Sequence, residues 1–153
     1  MTDPDRDRTS LEPPEVIAEA IQAEKEAEWF YTMTADMTTD EEVRQTLLKL
    51  AREEASHARM LVNLHFEMTG HGVLDPPSSP PEGGANLFDF STANQRDVLE
   101  YALQRETNAI ELYQRRADRA GHAKIAGVFR HLADAELEHA AYLRLLLARI
   151  IQE

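Results

Sequence analysis

The sequence contains no cysteine among its 153 residues. This absence excludes a disulfide framework, a thiolate zinc site, a thiolate-held iron–sulfur cluster and a cysteine nucleophile, and it is compatible with a reducing compartment. Any metal ion bound by this chain must therefore take oxygen and nitrogen ligands.

Basic residues are also scarce, because 16 Lys and Arg stand against 28 Asp and Glu, which gives a formal net charge of −12. Nucleic acids and anionic membranes are bound through basic patches, so neither is expected as a partner. No stretch approaches the roughly 18 apolar residues of a membrane span, and the polar segment from Met1 to Glu12 lacks the apolar core of a secretory signal. We therefore predict a cytoplasmic protein.

Four helices are indicated by apolar residues that recur at helical spacing, and no strand pattern of any length is present. Pro13 and Pro14 suit the first turn of a helix, where a missing N–H is tolerated. We predict a flexible segment over 1–13 and helices over about 14–38, 40–69, 95–120 and 122–151.

Local signals mark where these helices begin and end. Thr39 with Glu42 is typical of a capping box that opens the second helix, and Thr92 with Gln95 is expected to open the third. Gly121 stands where a left-handed residue commonly follows a helix. The second and third helices are thus predicted to begin at threonine caps, and the third to end at a glycine.

The segment over about 70–94 is rich in proline and glycine, which predicts a long connection beginning at Gly70. If it were a linker between two domains, each half would be a two-helix hairpin with nothing to bury its apolar stripe against. We therefore predict one all-α domain over 14–153, a four-helix bundle made of two helical hairpins joined by a long crossover.

The two halves of the chain match each other when residue n is compared with residue n+82. Chance accounts for the matched Ala and Leu pairs between helices of similar composition, but it accounts poorly for matched Tyr and His. The halves therefore look like copies of one hairpin. The pairs with distinctive chemistry are Glu24/Glu106, Tyr31/Tyr113, Glu54/Glu136 and His57/His139.

The two matched glutamates within each half are 30 residues apart, and the midpoint between them is the predicted turn at residue 39 or residue 121. In an antiparallel hairpin, residues equidistant from the turn face each other, here about 22 Å from the bend. Each hairpin should place two glutamates level with one another, and stacking the hairpins should bring four together.

All four glutamates lie within apolar stripes, where an uncompensated carboxylate costs several kcal/mol. Two divalent cations would balance four carboxylates. His57 and His139 each follow a glutamate by three residues, which puts both side chains on one helix face within reach of one ion. The sequence therefore predicts a site for two metal ions with the ligands Glu24, Glu54, His57, Glu106, Glu136 and His139.

The pattern Glu24…Glu54-x-x-His57, repeated as Glu106…Glu136-x-x-His139, resembles that of the ferritin-like di-iron carboxylate superfamily over roughly residues 15 to 150. The resemblance implies a ferritin-like four-helix bundle in which Glu54 and Glu136 bridge the metals. Glu24 with His57, and Glu106 with His139, would then be terminal ligands of one ion each. Two Fe ions are expected, with Mn or a mixed pair as alternatives, because carboxylates with one imidazole per ion suit these metals.

Within that superfamily the chain is most similar to the rubrerythrin branch, through its near-symmetric halves and the repeated spacing Glu-x6-Tyr. It departs from that branch at Ala109, where rubrerythrins usually carry a seventh carboxylate, and in having no cysteine-rich rubredoxin domain. The haem-binding methionine of bacterioferritins is also absent between Glu54 and His57, where Ala55 and Ser56 stand, so no haem is expected.

Tyr31 and Tyr113 lie two turns beyond Glu24 and Glu106 on the same helix faces. Each hydroxyl could bond to a ligand carboxylate or across the bundle, and core packing explains these residues equally well. They are the candidate catalytic residues outside the ligand set.

The resemblance implies an oxidoreductase, and our first hypothesis is a rubrerythrin-like peroxidase that reduces hydrogen peroxide, or O2, with electrons from a separate redox protein. The alternatives are a ferroxidase that stores iron, which needs a shell-forming oligomer, and a di-iron oxygenase, which needs an organic substrate pocket. A helical protein with an incidental or purely structural metal ion is the remaining interpretation. A homodimer is expected because short symmetric bundles often pair.

Overall fold

The computed structural model describes residues 13–70, 75–80 and 94–152, of which 151 and 152 are described in backbone only. Within these residues the chain forms α-helices and no strand, which confirms the all-α prediction. The predicted flexible segment lies outside the described residues except for Pro13, which begins the first helix, and so does most of the predicted crossover. The helices are α1 (Pro13–Met37), α2 (Glu41–Thr69), α3 (Gln95–Arg119) and α4 (Ala123–Gln152).

The first residue of α2 is fixed by an aspartate cap. The Val43 N–H donates to Asp40 Oδ1 at 3.0 Å, and the Arg44 N–H donates to the Asp40 carbonyl at 2.9 Å. The prediction that Thr39 caps this helix was therefore wrong by one residue. Both side chains can accept from the first turn, but a carboxylate also interacts favourably with the positive end of the helix dipole.

Asparagine opens α3 in the same way, since the Asp97 N–H donates to Asn94 Oδ1 at 2.9 Å. The predicted cap, Thr92, lies outside the described residues. Among the described glycines, Gly70 alone has a positive φ, of 70°, and its N–H donates to the Phe66 carbonyl at 2.8 Å. This left-handed residue ends α2 as predicted.

The end of α3 differs from the prediction, because Gly121 does not take the left-handed conformation. Instead Ala120 turns extended, with φ −68° and ψ 123°, and its N–H donates to the Ala117 carbonyl at 3.4 Å. The helix is therefore stopped by one extended residue, and the short connection to α4 needs no residue that only glycine tolerates.

The described residues divide into two compact units, one within 1–33 and 48–81 and the other within 34–47 and 82–153. In the second unit α3 packs along α4. Each fully buried Leu, Ile or Phe side chain contributes about 1.5–3 kcal/mol relative to exposure, so these apolar stripes hold the helices together. The buried stripes include Ile17, Ile21, Leu50 and Leu61 in the first unit, and Leu99, Ile110, Phe129, Leu132 and Leu143 in the second.

Charged side chains occur along all four helices. Across the part of the chain that the structure describes, no helix combines the length and the apolarity that crossing a membrane requires.

Candidate metal centre

The first unit holds a buried triad made of Glu24 from α1 and Glu54 with His57 from α2. These three residues are only 1, 2 and 7% exposed. Each offers one ligand atom, and the three atoms lie within 4.8 Å of one another. The distance from His57 Nδ1 to Glu24 Oε2 is 3.6 Å, so the imidazole of one helix faces the carboxylate of the other.

The second unit holds a matching triad made of Glu106 from α3 and Glu136 with His139 from α4. All three are buried, and their ligand atoms again lie within 4.8 Å of one another. His139 Nδ1 is 3.6 Å from Glu106 Oε1, the same separation as in the first unit, and 3.1 Å from Glu136 Oε2. The two triads, which come from the repeated halves of the sequence, therefore have similar geometry.

Local helix geometry explains how each triad forms. Glutamate and histidine three residues apart project from one face of a helix, and this face is the buried one in both α2 and α4. The third ligand comes from the neighbouring helix of the same hairpin. Two carboxylates and one imidazole make a hard, oxygen-rich donor set, which fits iron or manganese rather than a thiophilic metal.

The buried setting of the second triad disfavours ionisation of both of its carboxyls, Glu106 and Glu136, at once. Burial, reinforced by the neighbouring Glu136, raises the pKa of the Glu106 carboxyl to about 8, while His139 acts in the opposite direction. At neutral pH this carboxyl therefore holds a proton when no cation is present. A bound cation would take the place of that proton.

Tyr31 and Tyr113 are both buried, at 1 and 2% exposed. The ring of Tyr31 meets Phe30 edge-on with centroids 5.5 Å apart, and the ring of Tyr113 is tilted against Phe129 at 5.7 Å. Each tyrosine therefore belongs to the core of its own unit, two helical turns from a glutamate of the triad.

A cluster of charges beside the first triad was missed by reasoning from the sequence. Lys25, next to Glu24, is largely buried. Its Nζ lies 3.3 Å from Asp75 Oδ1 and 4.0 Å from Glu28 Oε2. The Glu28 side chain is only 25% exposed. The four-residue spacing from Glu24 to Glu28 could have indicated that Glu28 lies on the same helix face as Glu24. The approach of Asp75 to Lys25 depends instead on the path of a long connection.

The second unit also contains a cavity of about 190 Å³ that no sequence pattern indicated. It lies where α3 begins, and Leu99, on its wall, stands two turns before Glu106 on the same helix. Its lining mixes apolar side chains with hydroxyls and amides, among them Thr34, Met37, Thr38, Val43, Asn94 and Gln95.

Solved structures with the same architecture define the fold. The chain matches bacterioferritin from Rhodobacter capsulatus with a TM-score of 0.72, at 21% identity, covering 91% of this chain and 85% of that one. It matches a dodecameric thioferritin from Bacteroides fragilis with a TM-score of 0.64, also at 21% identity, covering 91 and 88%. The fold is therefore a ferritin-like four-helix bundle, as predicted.

The rubrerythrin family model matches residues 15–147, so the chain belongs to the rubrerythrin family of the ferritin-like di-iron superfamily. The family resemblance inferred from the sequence is confirmed. Protein YhjR of Bacillus subtilis (strain 168) is a relative that is 27% identical over 126 residues, which is 82% of this chain and 80% of that protein. Di-iron proteins of this kind are generally oxidoreductases.

Proposed function

We propose that the two triads together bind one pair of iron ions, and that the protein reduces hydrogen peroxide with electrons from a separate redox protein. The observation that carries the proposal is the pair of matched triads, each with two buried carboxylates and one buried imidazole. Membership of a di-iron family supports the identity of the metal. Mn in one or both positions is the alternative that the donor set also suits.

The ligand roles are part of the same proposal. Glu54 and Glu136 would bridge the two ions, Glu24 with His57 would complete one ion, and Glu106 with His139 would complete the other. Four carboxylates carry a charge of −4, which two divalent cations balance, so the loaded centre would be neutral in its apolar surroundings.

The bound iron pair would supply the two electrons that break the O–O bond of peroxide, giving two waters after uptake of two protons. The chain itself would position the ligands and keep bulk water away from the centre. The carboxylates and imidazoles are almost completely shielded from solvent, which protects a reactive centre from side reactions. The Glu106 carboxyl holds a proton in the metal-free protein and releases it as the metal binds.

We expect the reduced, iron-loaded protein to react with H2O2 at least about tenfold faster than with O2, a difference of roughly 1.4 kcal/mol in activation free energy. The experiment is stopped-flow mixing of anaerobically reduced protein with each oxidant. The absorbance of the oxidised iron monitors the reaction. If O2 reacts as fast as peroxide, the peroxidase proposal is wrong. Oxidation of many Fe(II) per chain, together with a shell-sized particle, would identify a ferroxidase instead.

We further propose that Tyr31 and Tyr113 orient ligand carboxylates or pass protons to the centre. Tyr31→Phe and Tyr113→Phe should each slow the peroxide reaction about 10- to 100-fold while iron content stays the same, because partners of metal ligands typically contribute this much. Tyr101→Phe, at a half-exposed position of α3, is the matched control. If the Phe variants react at the wild-type rate, the tyrosines serve packing alone.

A further inference from the structure

The two triads differ in one charged residue on the helix faces that carry Glu24 and Glu106. Spacings of three, four and seven residues return to the same face of a helix. At five of these six positions α1 and α3 both carry uncharged side chains of similar kind, and the exception is Glu28 of α1, whose counterpart in α3 is Ile110. The five similar pairs are Ile17/Leu99, Ala20/Ala102, Ile21/Leu103, Ala27/Ala109 and Tyr31/Tyr113.

The carboxylate of Glu28 is partly shielded from water. It lies one helical turn beyond Glu24, and a spacing of four residues places the two Cβ atoms about 5–6 Å apart. The side chain is 25% exposed, and within the residues that the structure describes its Oε2 atom is buried and has no hydrogen-bond partner. Ile110 is also buried but brings no charge. A negative charge therefore stands beside the first triad and is missing from the same position beside the second.

Lys25 compensates the charge of Glu28 only in part, because it also pairs with Asp75. Its Nζ lies 4.0 Å from Glu28 Oε2, which is beyond hydrogen-bond distance, and 3.3 Å from Asp75 Oδ1. One ammonium facing two carboxylates leaves a net charge of −1 on the three groups. The counterpart of Lys25 in α3 is Thr107, whose hydroxyl donates to the Leu103 carbonyl of its own helix at 2.9 Å. The same positions of the second unit are therefore uncharged.

We propose that Glu28 makes the two metal positions unequal, so that an ion in the first triad binds before an ion in the second triad, and binds more tightly. This inference rests on the proposed pair of metal ions but not on peroxide reduction. A divalent cation in the first triad is attracted by one further carboxylate, whereas a cation in the second triad has an isoleucine at the same position. The difference in affinity should be at least about tenfold, because attraction between charges is only weakly screened where water is excluded.

Burial distinguishes Glu28 from an ordinary surface carboxylate. A fully solvated charge would have little effect on the ion, because water and salt screen it. Asp75 is closer to that case, since its side chain is 59% exposed and it pairs with Lys25. Glu28 has one oxygen shielded from solvent and lies on the same helix face as a ligand of the first triad. Of the two carboxylates, Glu28 is therefore the one whose charge should act on the ion.

Anaerobic isothermal titration of the metal-free, full-length protein with Fe(II) tests this inference. The wild type should show two dissociation constants that differ at least about tenfold. Glu28→Gln keeps the size of the side chain but removes its charge, so the tighter constant should weaken about tenfold while the other changes less than about twofold. Glu28→Ile, which copies the second half of the chain, should have the same effect. Glu28→Asp retains the charge and should keep most of the difference between the two constants.

Glu15→Gln, which removes the same charge from an exposed position of α1, is the matched control and should change neither constant. Anomalous diffraction from crystals grown anaerobically with one equivalent of Fe(II) identifies the position that fills first. The peak should lie at the first triad in the wild type and divide between both triads in Glu28→Gln. Two equal constants in the wild type, a first peak at the second triad, or a Glu28→Gln titration that matches the wild type would overturn the inference and leave the metal pair intact. Binding of fewer than two ions would overturn the metal pair as well.

Discussion

Glu136→Gln should weaken iron binding at least about 100-fold and abolish peroxide reduction, while the metal-free variant unfolds at a higher temperature than the metal-free wild type. Substitution of a residue that merely supports a ligand commonly costs 10- to 100-fold in affinity, and Glu136, which we propose to bridge both ions, should cost more. The gain in stability follows from burial, because glutamine keeps the shape of the side chain but removes one of several crowded carboxylates. Burial, and after it the neighbouring Glu136, raises the pKa of Glu106.

The opposite signs of these two effects distinguish a metal site from an ordinary polar core. Residues that are placed for function often reduce stability, so their removal can stabilise the fold. Anaerobic isothermal titration with Fe(II) measures the affinity, and calorimetric unfolding measures the stability. Glu111→Gln, an exposed substitution on α3, should change neither quantity. A Glu136→Gln protein that binds metal as the wild type does would remove Glu136 from the ligand set.

Metal binding should raise the unfolding temperature by about 8–16 °C for each ion at a free metal concentration near 1,000 times Kd. The increase in stability at this ratio is about 4 kcal/mol, and 1 kcal/mol corresponds to about 2–4 °C for a chain of this size. Mn(II) is a suitable probe because it does not oxidise readily during heating. The unfolded chain lacks the assembled triads, so the ion binds mainly the folded state.

The increase in unfolding temperature on metal binding should become larger as pH rises. The Glu106 carboxyl has a pKa of about 8 in the folded metal-free protein, against 4.5 as its ordinary value. Between these values the folded state holds a proton that the unfolded state has lost, so stability falls as pH rises, by up to about 1.4 kcal/mol per pH unit. A bound cation replaces the proton, so the stability of the metal-loaded protein should not fall in this way as pH rises.

The difference in unfolding temperature between loaded and metal-free protein should therefore widen from pH 6 to pH 8. Thermal scans at three pH values, with and without Mn(II), measure it directly. A metal-free unfolding temperature that is flat over this range, or a difference that narrows, would contradict a raised pKa of Glu106.

The sequence predicted the helices and the two triads because both depend on short, regular spacings. A glutamate and a histidine three residues apart share a helix face wherever the helix is placed. A carboxylate within an apolar stripe is unfavourable unless it is compensated, and this can be recognised from the neighbouring residues alone. The internal repeat then supplied the second triad from the first. For Glu24 and Glu106, the level placement across a hairpin required only the helical rise per residue.

Other features depend on small energy differences or on distant parts of the chain. The choice between Thr39 and Asp40 as the cap of α2 is a matter of about 1 kcal/mol, which composition does not decide. The pair formed by Lys25 and Asp75 depends on the route of a connection that local periodicity does not describe. On α4 the apolar residues surround much of the helix, so the exposure of Leu145 emerged only once the buried side was known.

Anomalous X-ray diffraction from crystals grown with Fe(II) or Mn(II) would show whether the two triads bind a pair of metal ions. We expect two anomalous peaks in each chain, one within ligand distance of Glu24 and His57 and the other within ligand distance of Glu106 and His139, with Glu54 and Glu136 touching both ions. Ions found only outside these side chains, or triads that stay empty with ample metal present, would contradict this expectation.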